Sequence, residues 1–255
     1  TPLTDDNIHE AVDLWISDEA SAEATYGHIS EWDVSNVTDM SELFYDAWWG
    51  FNADLSSWNV SSVTNMENMF QDAQSFNGNI SSWDVSSVTN MSYMFERAWS
   101  FNGDLSFWDV SSVTNMENMF QDAQSFNGNI SSWDVSSVTN MSYMLCYSNF
   151  SSDISSWDVS NVTDMSGMFY NTQFSCNLSS WNVSSVTDMT YMFRMTSSEI
   201  GCISSWDVSG VTTMAGMFED TNGFNANLSA WDVSSVTNMQ SMFYGAESFN
   251  GNISS

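Results

Sequence analysis

The chain has 255 residues and a formal net charge of −30, because 32 Asp and Glu residues stand against only two Lys and Arg residues. A protein with so few cations cannot neutralise phosphates, which excludes nucleic acid and anionic membrane surfaces as partners. Hydrophobic residues make up 42% of the chain and aromatic residues 15%, so intrinsic disorder is excluded too. No apolar run reaches the roughly 18 residues that membrane insertion requires.

Residues 1–30 differ from the rest of the chain and predict an N-terminal helical cap. The polar run from Thr4 to Asn7 is a good helix start, and Ile8, Val12 and Trp15 follow at helical spacing. Repeat proteins need such a cap to cover the first coil. The start at Thr1 shows no signal peptide, so we expect a processed chain or a fragment.

Residues 31–255 repeat the phrase Trp-Asp-Val-Ser-x-Val-Thr-x-Met-x-x-Met-Phe with small variants. The separations between successive Trp residues are 26, 25, 25, 25, 24, 24, 25 and 25. A fixed period of this size predicts a nine-coil repeat solenoid, one structural domain in which each coil buries its apolar face against its neighbours. The Trp residues that mark the coils are Trp32, Trp58, Trp83, Trp108, Trp133, Trp157, Trp181, Trp206 and Trp231.

Within each coil, Ser-Trp-Asp-Val-Ser alternates apolar and polar residues, which predicts a strand of a parallel sheet. Trp and Val would point inward, and Asp and Ser outward. The next segment, such as Val63 to Phe70, places apolar residues three and four apart, which predicts a short helical or 3-10 turn. Thr64-x-x-Glu67 reads as a capping box for that turn. The Met residues share the phase of Val and Phe, so core packing is favoured over a copper site.

The repeat phrase, with Leu-Ser-Ser before Trp, resembles the bacterial-surface-protein repeat of about 26 residues, a family related to BspA-like leucine-rich repeats. The resemblance extends from Ile29 to Ser255. It implies a leucine-rich-repeat-like right-handed coil on a surface or secreted protein, and it brings no catalytic residues. The predicted fold class is therefore an α/β solenoid with one parallel sheet, short helical or 3-10 turns and an N-terminal helical cap.

The residue after each Trp forms a column that is mostly aspartate. Stacked carboxylates repel one another, so solvent, a raised pKa, serine hydroxyls or bound cations must relieve the column. Calcium accepts carboxylate and hydroxyl oxygens, which makes it the candidate cofactor; the alternative is a solvated polar face. The candidate metal ligands are Asp33, Asp84, Asp109, Asp134, Asp158, Asp207 and Asp232.

Twelve Asn-x-Ser/Thr sequons make the chain a candidate glycoprotein if it is secreted by a eukaryote. The alternative is chance, because Ser and Thr are built into the repeat. Turn positions are expected to accept glycans better than crowded strand positions. The candidates are Asn36, Asn59, Asn79, Asn90, Asn129, Asn140, Asn149, Asn161, Asn177, Asn182, Asn227 and Asn252.

Cys176 and Cys202 fall at nearly the same phase of adjacent coils. Adjacent parallel strands lie about 4.8 Å apart, within disulfide range, so a bridge between coils is one interpretation. The other is two small residues in a turn. Cys146 has a different phase and would be left over.

These features favour an extracellular or cell-surface structural or adhesive protein. The last coil would expose an unpaired strand edge, which invites pairing, so we expect further coils or end-to-end stacking of copies into a filament. The alternative function is a calcium- or glycan-binding module that uses the Asp-Ser face. An enzyme is not expected, because His9 and His28 lie in the cap and no carboxylate pair has an asymmetric pocket. An ice-binding role for the Thr column is a remote alternative.

Overall fold

The computed structural model describes residues 2–48, 50–173, 177–197 and 200–253. Helix α1 spans Ile8–Ser17 and helix α2 spans Glu19–Tyr26, and two 3-10 turns occupy Ile29–Glu31 and Gly201–Ile203. The remaining described residues form turns, bends and short extended segments. Neither helix has the length and apolar character that crossing a membrane demands, and this holds for the described residues as a whole.

The two helices close the core at the first coil. Helix α1 buries Ile8, Val12 and Trp15, and the Trp15 ring meets the Trp32 ring edge-on with centroids 5.9 Å apart. Asp5 fixes the preceding loop to the first coil, because its Oδ1 accepts a 2.7 Å hydrogen bond from the Thr38 N–H. The cap is therefore held by apolar contact on one side and by a carboxylate on the other.

The repeats stack coil on coil, so each core residue contacts its counterpart in the neighbouring repeat. We number the coils 1 to 9 by their Trp, from Trp32 to Trp231. Phe95 lies between Phe70 and Phe120, at 5.6 Å from each ring centroid and within 6° of parallel. Trp133 is 3% exposed and Val135 1%. The prediction that Trp and Val point inward is confirmed.

The predicted parallel sheet, and with it the α/β solenoid class, is wrong. The described residues contain no strand; from coil to coil one finds single parallel bridges, such as Asn65 with Asn90 and Asn90 with Asn115. Two turns flank the predicted strand in each coil. In coil 2 they are closed by the hydrogen bonds from Trp58 N to Leu55 O (3.1 Å) and from Val63 N to Val60 O (2.9 Å), and only three extended residues lie between them. Side chains also bond to the backbone carbonyls beside this segment: the Trp83 Nε1–H donates to the Leu55 carbonyl at 3.0 Å. A ladder has no room to form.

The predicted helical turn over the Met-x-x-Met segment is also wrong. Each coil places two left-handed residues four apart in it, such as Asn68 and Asp72, with φ of 55° and 58°. Asn, Asp and Gly hold many of these positions, as this conformation favours. The capping box does not form either, because the Thr64 hydroxyl donates to the Thr38 carbonyl of the previous coil at 3.3 Å.

Alternate N–H groups of this segment leave their own coil and bond to the next one. In coil 2 the N–H groups of Met66, Asn68, Phe70 and Asp72 donate to carbonyls of coil 3 at 2.8–2.9 Å. The residues between them close turns within the coil, as in Met69 N to Met66 O at 3.3 Å. A helix would need these donors for itself. The pattern recurs through the stack, and its donors all point toward the C-terminal end.

Candidate functional site

The aspartates of the predicted metal column bond to their own coil. In each case Oδ1 accepts the N–H of the serine two residues later at 3.0–3.1 Å, an Asx turn. Asn59 and Asn182, which replace Asp in two coils, make the same bond at 3.2 Å. The shared requirement of this column is therefore a side-chain oxygen that closes a turn.

The electrostatics of this column follow from those turns. The Ser hydroxyl, followed by the Ser N–H, lowers the pKa of Asp33, Asp84, Asp158, Asp207 and Asp232. A raised pKa is therefore not what reduces the repulsion among these five carboxylates. Within the described ranges, no three His, Cys, Asp or Glu side chains are grouped so as to hold a metal ion. Calcium binding at this face stays a prediction.

The candidate glycosylation sites differ in whether the amide nitrogen is free to react. The Nδ2 atoms of Asn90 and Asn140 donate to Glu67 and Glu117 at 3.2 Å. Those of Asn149 and Asn161 donate to carbonyls of the preceding coil at 2.6 and 2.7 Å. By contrast, four exposed sequon asparagines use Oδ1 to close a turn, and no hydrogen bond to a described residue engages Nδ2. These are Asn79, Asn129, Asn177 and Asn227. The structure thus ranks the sequons without testing whether they carry glycans.

The cysteines and histidines show no reactive arrangement among the described residues. Cys176 lies outside those residues, so the disulfide stays a prediction; Cys202 Sγ accepts the Leu178 N–H at 3.1 Å. Burial raises the pKa of Cys146 to about 12, which makes its thiol unreactive. His28 pairs through Nδ1 with the Ser30 hydroxyl at 2.8 Å, as expected of a residue that organises the cap.

The two arginines lie on the flank that carries the residues after the core Phe. Arg97 approaches Asp72 at 3.5 Å and Glu96 at 3.8 Å. Burial, which outweighs the neighbouring guanidinium, raises the pKa of both carboxyls. Arg194 bonds Glu219 at 3.0 Å and lies 5.1 Å from the centroids of the Tyr170 and Tyr191 rings.

A groove of about 470 Å³ opens on the same flank, across coils 4 to 7. It lies where the repeat is shortened: Phe150 comes five positions after Leu145, whereas Phe126 comes six positions after Phe120 in the coil before. The signal was present in the sequence as the two separations of 24, but the sequence alone did not show where the recess would fall. We call this feature the shortened-coil groove; its lining is Asp122, Gln124, Tyr147, Ser148, Asn149, Asn171, Thr172, Gln173, Met195 and Ser197.

The side chain of Asn149 repairs the backbone bonding that the missing residue would have made. In regular coils a serine N–H donates to the previous coil, as in Ser125 N to Trp99 O at 3.2 Å. In coil 5 the Asn149 Nδ2 donates instead to the Gln124 carbonyl at 2.6 Å. The recess is thus held in place by a bond and is not a gap left by loose packing.

The chain matches a known sequence family over most of its length. The sequence profile described as "Mycoplasma protein of unknown function, DUF285" matches residues 16–123, 103–201 and 171–255. The three stretches overlap and together extend from residue 16 to residue 255. No curated protein and no solved structure matches the chain.

Proposed function

The chain belongs to this repeat family of unknown function, and we propose that it is an extracellular or cell-surface structural and adhesive protein whose copies join end to end. The surface location rests on the resemblance of the repeat to bacterial-surface-protein repeats. It also fits a charge of −30, which salt outside the cell would screen to a range of about 8–10 Å.

The observation that carries end-to-end joining is the single direction of the backbone hydrogen bonds that the Met-x-x-Met segments make between coils. In coil 8 the N–H groups of Met214, Gly216, Phe218 and Asp220 donate to carbonyls of coil 9 at 2.7–2.9 Å. Their counterparts in coil 9 find no acceptor among the described residues; these are the N–H groups of Met239, Ser241, Phe243 and Gly245. The outer edge of coil 9 is therefore a row of donors.

The outer edge of coil 1 is the complement of that row. Carbonyls of coil 2 at Asn65, Glu67, Met69 and Gln71 accept bonds from coil 1. The equivalent carbonyls of coil 1 receive no donor from the described part of the chain; they belong to Asp39, Ser41, Leu43 and Tyr45. The cap bonds to this coil at Asp33 and Thr38, and its described residues donate to none of those four carbonyls. Donors can pair only with acceptors, so this edge favours head-to-tail contacts over symmetric ones.

Apolar surface accompanies the donor row. Val233 is 39% exposed and Met239 40%, whereas their counterparts in coil 8, Val208 and Met214, are 1% and 0% exposed. Leu228, Trp231 and Phe243 line a cavity of about 170 Å³ beside them. A further coil would bury this surface as each inner coil does. Head-to-tail contacts that do not close generate filaments.

Light scattering and negative-stain electron microscopy on residues 1–255 test the assembly. We expect filaments whose length grows with protein concentration and with salt, because salt screens the repulsion between copies. Met239→Asp should abolish them by placing a charge in the joint. The matched control is Phe107→Ser: Phe107 is 83% exposed on the side of the stack, and Ser occupies its position in neighbouring coils. A wild type that stays monomeric at every concentration would refute end-to-end joining.

The surface location has its own experiment. Antibodies raised against residues 1–255 should label intact cells of the source organism. Labelling that appears only after the cells are permeabilised would contradict the proposed location without bearing on the assembly.

A further inference from the structure

The shortened-coil groove combines an aromatic ring with amide side chains in a recess whose volume, about 470 Å³, lies in the usual range for small-molecule sites. From this combination we propose that the groove binds a neutral saccharide. The proposal is independent of end-to-end joining, because the groove lies on the flank of coils 4 to 7 and the proposed joint lies at coils 1 and 9.

The apolar part of the groove suits the C–H face of a sugar ring. Tyr147 is 41% exposed and Met195 42%, although both stand in a column that is mostly polar elsewhere. Tyr147 packs on Tyr170 with ring centroids 4.9 Å apart, which fixes its plane before any ligand arrives. A rigid aromatic ring offers contact area at a small entropic cost, and a thioether adapts to an irregular ligand surface.

The polar part of the groove suits hydroxyl groups that both donate and accept. Four amide side chains reach the recess, and each amide carries donors and acceptors. Two of them are fixed by the protein: Gln124 Nε2 donates to Asp122 Oδ1 at 3.1 Å, and Asn149 Nδ2 donates to the Gln124 carbonyl at 2.6 Å. For the amides of Asn171 and Gln173, the described residues offer no hydrogen-bond partner, so both are available to a ligand.

The charge of the groove determines which sugars fit. Among the described residues of the lining, Asp122 is the one that carries a charge, and Arg194 is engaged by Glu219 at 3.0 Å. A sulfated or uronic-acid sugar would meet a carboxylate with no cation among the described lining residues, in a protein of charge −30. A metal ion would find a single carboxylate among these described residues, too few for calcium, which takes six to eight oxygens. A neutral sugar meets neither obstacle.

Titration of residues 1–255 with maltotriose, cellotriose and tri-N-acetylchitotriose, followed by calorimetry and NMR, tests the proposal. We expect at least one of the three to bind with a Kd below about 1 mM and to shift the side-chain amide signals of Asn171 and Gln173. A heparin tetrasaccharide should not bind. If none of the neutral probes binds at about 10 mM, or if only the heparin fragment binds, the proposal is wrong.

Two variants and two matched controls locate the site. Tyr147→Ala and Gln173→Ala should each weaken binding about tenfold. Phe107→Ala removes an exposed aromatic ring outside the groove lining, and Gln74→Ala removes the glutamine at the position of Gln173 in a coil of regular length; neither should change the affinity. Equal losses in variants and controls would place the binding elsewhere and refute the assignment.

Restoring the length of coil 5 supplies an independent test. Insertion of one serine between Asn149 and Phe150 recreates the six-residue spacing of coils 2 to 4 and should fill the recess. We expect this variant to keep its melting temperature and to lose binding by at least tenfold. Undiminished binding in a folded insertion variant would show that the groove is not the site.

Discussion

Trp133 offers the most direct test of how the stack is held together. It lies in coil 5, is 3% exposed, and donates from Nε1 to the Leu105 carbonyl of the preceding repeat at 3.0 Å. Its ring lies 6.3 Å from the Phe120 ring. Trp133→Ala therefore removes a buried aromatic surface and a hydrogen bond between repeats in one change.

The size of the loss follows from these contacts. An aromatic side chain buries about 150–250 Å², which at about 25 cal/mol/Å² corresponds to about 4–6 kcal/mol; measured Trp-to-Ala changes cost about 3–5 kcal/mol. The hydrogen bond adds about 1 kcal/mol, because the Leu105 carbonyl keeps a second donor, the Trp108 N–H at 3.1 Å. Trp133→Phe should accordingly cost about 1–2 kcal/mol and Trp133→Ala about 4 kcal/mol.

Urea unfolding followed by circular dichroism measures both variants. At about 2–4 °C per kcal/mol, a thermal melt should show a shift on the order of 10 °C for Trp133→Ala. The control is Trp99→Ala, since Trp99 is 40% exposed and its loss should cost under about 1 kcal/mol. A Trp133→Ala variant no less stable than the Trp99→Ala variant would refute the assignment of the Trp column to the core.

Four further outcomes are expected. Gly167→Ala should destabilise the protein by about 1–3 kcal/mol, because Gly167 has φ of 58° and a Cβ there would overlap the Tyr143 ring; adding Tyr143→Ala should recover part of the loss in the same urea titration. Glu96→Gln should raise the melting temperature at pH 7, because burial raises the pKa of this carboxyl above its usual 4.5 and thus penalises its ionised form in the folded state. Below the usual pKa of 4.5 the group is protonated in both the folded and the unfolded state, so a higher melting temperature of the variant that persists at about pH 3 would contradict burial of the charge as the cause. Asp84→Asn should change the stability by under about 0.5 kcal/mol and Asp84→Ala should cost about 1 kcal/mol, since only the amide keeps the oxygen that bonds Ser86; equal losses in thermal melts would show that charge, not turn closure, matters. Mass spectrometry after expression in a glycosylating host should find glycans on the free-nitrogen sequons and none where a glutamate binds the nitrogen; the first group is Asn79, Asn129, Asn177 and Asn227, and the second is Asn90 and Asn140.

The period and the interior of this protein were readable from the sequence. An apolar residue that returns every 24 to 26 positions can be buried only by its own counterparts, so Trp, Val, Met and Phe had to form columns. The net charge of −30 excluded polyanionic partners, because the chain has only two Lys and Arg residues with which to neutralise them. The polar character of the Asp column was also readable from the sequence, because every member is Asp or Asn and is followed two residues later by serine.

The backbone between those columns was decided by the tertiary structure. The alternation at Trp-Asp-Val predicted a strand, but turns on both sides and side-chain bonds to its carbonyls left no ladder. The spacing of Val63, Met66 and Phe70 predicted a helical turn. Alternate N–H groups of this segment, however, had a competing acceptor about 25 residues later in the neighbouring coil, and the bond between coils replaced the helical one. Periodicity reports which side chains are buried; it does not report where the backbone finds its hydrogen bonds. The same reason hides the groove: a missing residue is visible as a shorter interval, but only stacking against coils of full length turns it into a recess with Tyr147 on its wall.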